Sequence, residues 1–209
     1  MLSSSRFAIF LSAAILLAIA PGPGMLYVLA RTLAGGRREG LLSSLGTFVG
    51  GMIHVFAAAA GVSIILAKSA LAFATVKYLG AGYLCFLGLR MILDARKEDP
   101  MVLLETRRQR SPFWQGIMTE ALNPKTALFF LSFIPQFVNR AVGQVFLQFV
   151  LLGMLSVVLN TTADVVVTLL AGPFGERIRR SVNFRRRQRS LTGAIMVGLG
   201  TYLALGESK

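Results

Sequence analysis

Apolar residues come along this chain in long, nearly unbroken stretches, and polar residues collect in the short gaps between them. Six such stretches cover approximately residues 7–30, 41–66, 69–93, 113–137, 146–171 and 191–206. A helix needs about 20 mostly apolar residues to cross the hydrocarbon core of a bilayer. Inside lipid every backbone N–H and C=O must be paired within its own segment, which selects helices over isolated strands. The pattern therefore predicts an all-α integral membrane protein of about six transmembrane helices, forming one domain over residues 1–209. The last stretch is short and carries Gly193, Gly198 and Gly200, which suits a tilted or partly covered helix.

The first stretch has the outline of a secretory signal, with Arg6 ahead of an apolar run over residues 7–20 that ends in small residues. Cleavage after Ala20 would make Pro21 the next residue, and the apolar run resumes at Met25. The segment reads as an uncleaved first span.

Composition agrees. The 209 residues are 55% hydrophobic and 15% charged, with a mean hydropathy of +0.66, whereas a soluble domain carries about a quarter charged residues. Six spans and their loops leave no room for a second, soluble domain. The net charge of +13 would suggest nucleic acid in a soluble protein, but its distribution points elsewhere. Alternate gaps hold Arg31, Arg37 and Arg38; then Arg96, Lys97, Arg107, Arg108 and Arg110; then Arg177, Arg179, Arg180, Arg185, Arg186, Arg187 and Arg189. The opposite side holds Arg6, Lys68, Arg140 and Lys209. Lys and Arg accumulate on the cytoplasmic side of membrane proteins. The three basic gaps are thus expected to face the cytoplasm, with both termini outside, in a cell inner (plasma) membrane. The run over residues 184–189 reads as a topology determinant that also attracts anionic lipid headgroups, and not as a nucleic-acid site. Arg90, at the end of its span, is expected to snorkel to the interface.

The spans divide into halves of approximately 1–93 and 111–206, joined by a basic linker over 94–110. Three spans per half oblige the second half to enter the membrane inverted, and inverted repeats with a central site recur among secondary transporters. Each half opens on a broken helix, at Pro21-Gly22-Pro23-Gly24 in one and Asn123-Pro124-Lys125 in the other. Proline removes an N–H and clashes with the preceding turn, while glycine frees the backbone. Unpaired main-chain groups at membrane depth are tolerated only against protein or a wet cavity. A pair of ordinary kinks is the plainer reading, and the Pro-Gly-Pro-Gly cluster fits it less well. These seven residues are therefore candidates for substrate binding.

The same residues resemble the LysE/RhtB amino-acid exporter superfamily. The resemblance rests on Pro21-Gly22-Pro23, on Gly46, Gly50 and His54, on Lys77 with Gly80-Ala81 and Tyr83-Leu84, and on Asn123-Pro124-Lys125. Phe129-Phe130 and Pro135-Gln136-Phe137 extend it over nearly the whole chain. It implies efflux of amino acids or related small polar solutes, driven by the proton motive force. Members often carry Asn after Pro-Gly-Pro, where this chain has Gly24, a departure that bears on substrate choice.

Charged groups inside spans are expensive and normally face a bundle interior or a solvent path. Ser156, Asn160, Asp164 and Thr168 follow at four-residue spacing on one helical stripe. Asn160 and Asp164 join the substrate-binding candidates, with Asp164 suited to a substrate ammonium or a proton; the alternative is an interhelical hydrogen bond. His54, the sole histidine, extends the Gly46/Gly50 face; it is a candidate proton relay or a packing residue. Lys125 suits a substrate carboxylate, or pairs with Asp164 or Glu120. Lys77 is expected to snorkel outward. Gly80, Gly88 and Gly193 read as close-packing positions, and Tyr78, Tyr83, Trp114 and Tyr202 as interface anchors.

No Gly-rich phosphate loop followed by Lys-Ser or Lys-Thr is present, and no nucleophile has a base at a useful spacing, so no enzyme is expected. One His and one Cys supply no His/Cys metal set, and Cys85 has no disulfide partner within the chain. Neither metal nor cofactor is expected. The expected partners are a small solute, protons and lipid, with monomer and homo-oligomer both open. Metal-cation export, known among members of the same superfamily, and a non-transporting membrane subunit are the competing readings.

Overall fold

The computed structural model describes residues 4–68, 70–95, 111–180 and 182–205. The expected linker beyond Ala95, with its five basic residues, and Lys209 lie outside them. The described residues are almost all helical, and among them there is no strand. In chain order the helices are α1 (Ser4–Ile19), α2 (Pro23–Lys68), α3 (Ala70–Asp94), α4 (Pro112–Ala121), α5 (Pro124–Leu128), α6 (Val145–Arg180) and α7 (Val182–Leu205). Helix α5 runs on through a π turn at Phe129–Phe133 and a 3₁₀ turn at Ile134–Phe137, and after the extended Val138 a separate 3₁₀ turn lies at Arg140–Val142. Pro135 has no N–H for the carbonyl four residues back, which suits a change of helix type there.

Both expected breaks exist. Residues 20–22 separate α1 from α2, and Leu122 and Asn123 separate α4 from α5. Two basic gaps, however, are helix and not loop. Helix α2 passes from the first span into the second with one non-helical residue, Gly36, at φ 79° and ψ −175°, a left-handed conformation that glycine adopts without Cβ strain. The 172–190 region is likewise helical on both sides of residue 181. Hydropathy marks where a helix leaves lipid, and not where it ends. Arginine and glutamate are good helix formers, so the backbone stays wound beyond the apolar stretch.

Helix α2 packs along α4 and α6, α3 packs along α7, and α1 lies against α6. Small residues permit the closest approaches. A Cβ on Gly50 would stand 2.8 Å from the Ile117 carbonyl oxygen, and one on Gly116 2.7 Å from that of Ser43. Gly88 and Gly193 face each other's backbones between α3 and α7. Lipid tails are as apolar as leucine, so such backbone contacts and polar bonds, more than hydrophobicity, hold membrane helices together. The largest apolar cluster centres on Phe10, Phe129, Phe133, Phe137 and Phe149; a smaller one joins Ala81 and Leu84 to Met196 and Leu203.

The surface inverts the soluble pattern. Leu26, Leu79, Leu122, Leu151 and Leu205 are exposed, whereas Arg31, Lys77, Glu120, Asn123, Lys125 and Asp164 are buried. An exterior so apolar is a lipid-facing one. Pro23–Gly61 and Val145–Ala171 are long and apolar enough to cross a membrane, and Ser4–Ile19 and Ser190–Leu205 are shorter apolar helices. Trp114, Tyr78, Tyr83 and Tyr202 are all exposed.

Two basic residues depart from expectation. Lys77 does not snorkel outward: it is 1% exposed, with its ammonium 5.3 Å from the Tyr78 ring centroid. Arg31 is not a loop residue but lies in α2, buried. It donates to Glu39 Oε2 at 3.2 Å and to Gln115 Oε1 at 2.5 Å. Each sits where neighbouring helices cover its long side chain, and that covering comes from contacts distant in sequence.

Candidate functional site

The two breaks meet. Pro21 has no N–H to offer the carbonyl of Leu17, which a continuous helix would have satisfied from that position. Lys125 supplies the missing donor from the other break. Its ammonium donates to Leu17 O at 2.9 Å and to Ala20 O at 2.6 Å. A related arrangement holds at the second break. Pro124 cannot serve the carbonyl of Glu120, which instead accepts from the Asn123 N–H at 3.0 Å, and His54 Nε2 adds a second contact at 2.9 Å. A carbonyl only accepts, so the contact requires the imidazole proton on Nε2. Each proline break is thus capped by a side chain from the opposite half of the chain.

Asn123 shapes its own break. Its Oδ1 accepts from the Lys125 backbone N–H at 3.1 Å, an N-cap with proline at the first helical position. Its amide donates to Glu120 Oε2 at 3.1 Å, and Thr126 Oγ1 donates to Glu120 Oε1 at 2.5 Å. Glutamate, asparagine and threonine therefore brace the turn from α4 into α5.

A cavity lies at this junction, large enough to admit water. Gly22, Gly24, Asn123, Lys125 and Asn160 line it, among the residues anticipated from sequence. Glu120, Thr47, Gly51, Thr126, Ser156, Thr161, Phe129 and Phe130 complete much of the wall. Pro23 and Pro124 are exposed, so the prolines shape the breaks without lining the cavity. Pro21 is half-buried, and its carbonyl accepts from Thr192 Oγ1 at 3.5 Å. Asp164 stands one residue back from the lining. Its Oδ2 accepts from Thr47 Oγ1 at 2.9 Å, and its buried Oδ1 has no hydrogen-bond partner. The pairing of Lys125 with Asp164 or Glu120 is not what the structure contains, because its ammonium is bonded to carbonyls. Those carbonyls are unsatisfied at a proline break, a need that charge arithmetic overlooks.

Glu120 was visible in the sequence only as a partner for lysine. Its position four residues before Pro124 was the available signal, since that is where a proline withholds its N–H and loosens the turn. Thr47, Gly51 and Thr126 carried no local signal.

Further bonds tie α2 to its neighbours away from the cavity lining. Tyr27 Oη donates to Pro112 O at 2.6 Å, Arg31 ties Glu39 and Gln115 as above, and Thr32 Oγ1 lies 3.4 Å from Thr168 Oγ1. Elsewhere Arg6 donates to Gln136 O at 2.9 Å.

A family model described as "LysE type translocator" matches residues 15–207. The chain belongs to that family. Its relatives include an uncharacterized membrane protein of Vibrio cholerae, 28% identical over 95% of this chain and 96% of the relative. The uncharacterized membrane protein YrhP of Bacillus subtilis is 28% identical over 91% and 94%. An uncharacterized membrane protein of Pseudomonas aeruginosa is 33% identical over 88% of each. No solved structure matches the chain. Membership makes the chain a membrane transporter with a small-molecule substrate. In a translocator of this kind, a polar cavity at the meeting of two broken spans is the candidate substrate site.

Proposed function

We propose that this LysE-type translocator is a secondary transporter that exports amino acids or related small polar solutes from the cytoplasm. Proton flow down its gradient drives it by alternating access. The observation that carries the reading is the junction of the two breaks, where Gly22, Gly24, Asn123 and Lys125 line one cavity. Its walls come from α1, α2, α4, α5 and α6, hence from both halves of the chain. The capping by Lys125 and His54, and the packing of α2 on α4 and of α1 on α6, support two inverted three-helix repeats, approximately residues 1–93 and 111–206.

Alternating access requires the repeats to move relative to each other about the breaks. The irregular turns at Phe129–Phe133 and Ile134–Phe137 are suited to absorb that motion, since π turns recur at functional hinges. We assign the proton step to Asp164, whose carboxylate is buried behind Thr47 with one oxygen unpartnered. His54 takes the capping role. The asymmetry of the basic gaps supports an orientation with both termini outside the cytoplasm, in an inner membrane.

Efflux of a broad amino-acid panel from preloaded vesicles, with and without a proton gradient, tests the reading. Gradient-dependent movement of one amino-acid class, lost in Asp164→Asn, is the expected result. No movement of any panel member by correctly folded and inserted protein would overturn it.

A further inference from the structure

We infer that Glu120, and not Asp164, is the residue that receives the positively charged amino group of the transported solute, and that Gly24 is the position that makes room for it. The inference rests on the exporter reading above and assigns the chemistry within its cavity. Glu120 is 1% exposed and lines the cavity, whereas Asp164 does not. A carboxylate offers about four lone-pair sites. Two neutral donors, Asn123 Nδ2 and Thr126 Oγ1, use one site on each oxygen. Among the described residues no ammonium or guanidinium is bonded to Glu120. Lys125 lines the same cavity but spends its ammonium on carbonyls; a buried carboxylate with no cation bonded to it is expensive at membrane depth, and an arriving ammonium relieves that cost.

Gly24 explains why the carboxylate fits. A Cβ at this position would collide with Glu120 Oε2, so any other residue at 24 displaces the carboxylate from its present place. The neighbouring Gly22 does the same for Lys125, whose Cδ would stand 3.1 Å from a Cβ there. The Pro-Gly-Pro-Gly break therefore presents two bare backbone positions to the one cation and the one anion that line the cavity. Both carboxylate oxygens accept, one from Asn123 and one from Thr126, and glutamine could keep only one of those two bonds, so Glu120→Asp and Gly24→Ala separate charge from bracing.

The experiment compares export of free amino acids with that of their N-acetyl derivatives by the full-length protein in proteoliposomes. Wild type is expected to prefer the free amino acid by at least about tenfold, the scale of a lost buried charge contact. In Glu120→Gln the ratio falls towards unity through a raised KM for the free amino acid, and Glu120→Asp restores part of it. Preference kept at the wild-type ratio in folded Glu120→Gln overturns the inference while leaving the exporter reading standing. A wild type that moves no amino acid overturns both. Where Glu120→Gln does not fold, Gly24→Ala decides: a reduced ratio supports the inference and an unchanged one overturns it.

Discussion

The Lys125 ammonium lies 2.9 Å from the carbonyl oxygen of Leu17, the acceptor that Pro21 leaves without a backbone donor. The residue that follows one broken helix thereby repairs the other. A second bond to Ala20 makes the ammonium a two-pronged cap on the end of α1. Lys125→Met removes both bonds and strands two carbonyls, and hydrogen bonds to charged groups are worth about 1.5–3 kcal/mol each. It is expected to lower the thermal midpoint in detergent by at least about 5 °C. His54→Phe, which removes one bond to Glu120 O, should cost about 1 kcal/mol. Thermal unfolding monitored by fluorescence checks the order; equal midpoints for Lys125→Met and wild type would refute the capping role.

Arg31 and Glu39 face each other across the bend at Gly36, at 3.2 Å. The Glu39 side chain is 36% exposed, so solvent screens the pair, and exposed pairs couple by about 0.2–1 kcal/mol. A double-mutant cycle of Arg31→Met and Glu39→Gln should return coupling in that range. Arg31→Met alone should cost more, because it also abandons Gln115. If Arg31→Met and Glu39→Gln prove equally mild, Arg31 does not bind the helices together.

Glycines along one chain are not equivalent. Gly50→Ala sets a methyl group 2.8 Å from the Ile117 carbonyl oxygen, and backbone cannot swing aside as a side chain can. Overpacking of this kind costs about 1–3 kcal/mol, read as a lower yield of monodisperse protein and a lower thermal midpoint. Gly198→Ala, with nothing within 4 Å of the new carbon, should instead be neutral or stabilising, by up to about 1 kcal/mol from helix propensity. A reversed order would mean that α2 and α4 are not in contact as described.

The orientation inferred from the basic gaps makes a direct prediction. On a Cys85→Ser background, Gly143→Cys, in the turn before α6, should react with a membrane-impermeant maleimide added to intact cells. Arg37→Cys should react only after permeabilisation. Labelling in the opposite order would invert the topology and, with it, the direction of transport.

Much of this protein is legible along the chain because lipid imposes a simple rule. Every buried backbone group must be paired locally, so apolar stretches become helices and their prolines become breaks. The division into spans, the two interruptions and the polar stripe through Asp164 all follow from that rule. Helix ends were less legible. The bilayer boundary changes hydropathy, but arginine does not unwind a helix, and α2 and α6 continue through residues that read as loop.

What the sequence by itself determined was the kind of protein, the places where its helices break and the backbone N–H groups that the prolines withhold there. Which side chain would meet the carbonyl at each break was decided only by tertiary packing, for Leu17 and Lys125 are 108 residues apart and His54 and Glu120 are 66 apart. The same packing brought Glu120 to the cavity wall and set Asp164 behind Thr47. Spacing places residues on a face of their own helix. Which other helix that face meets, and at what depth, depends on close approaches at glycines such as Gly24, Gly50 and Gly116, whose partners lie far along the chain.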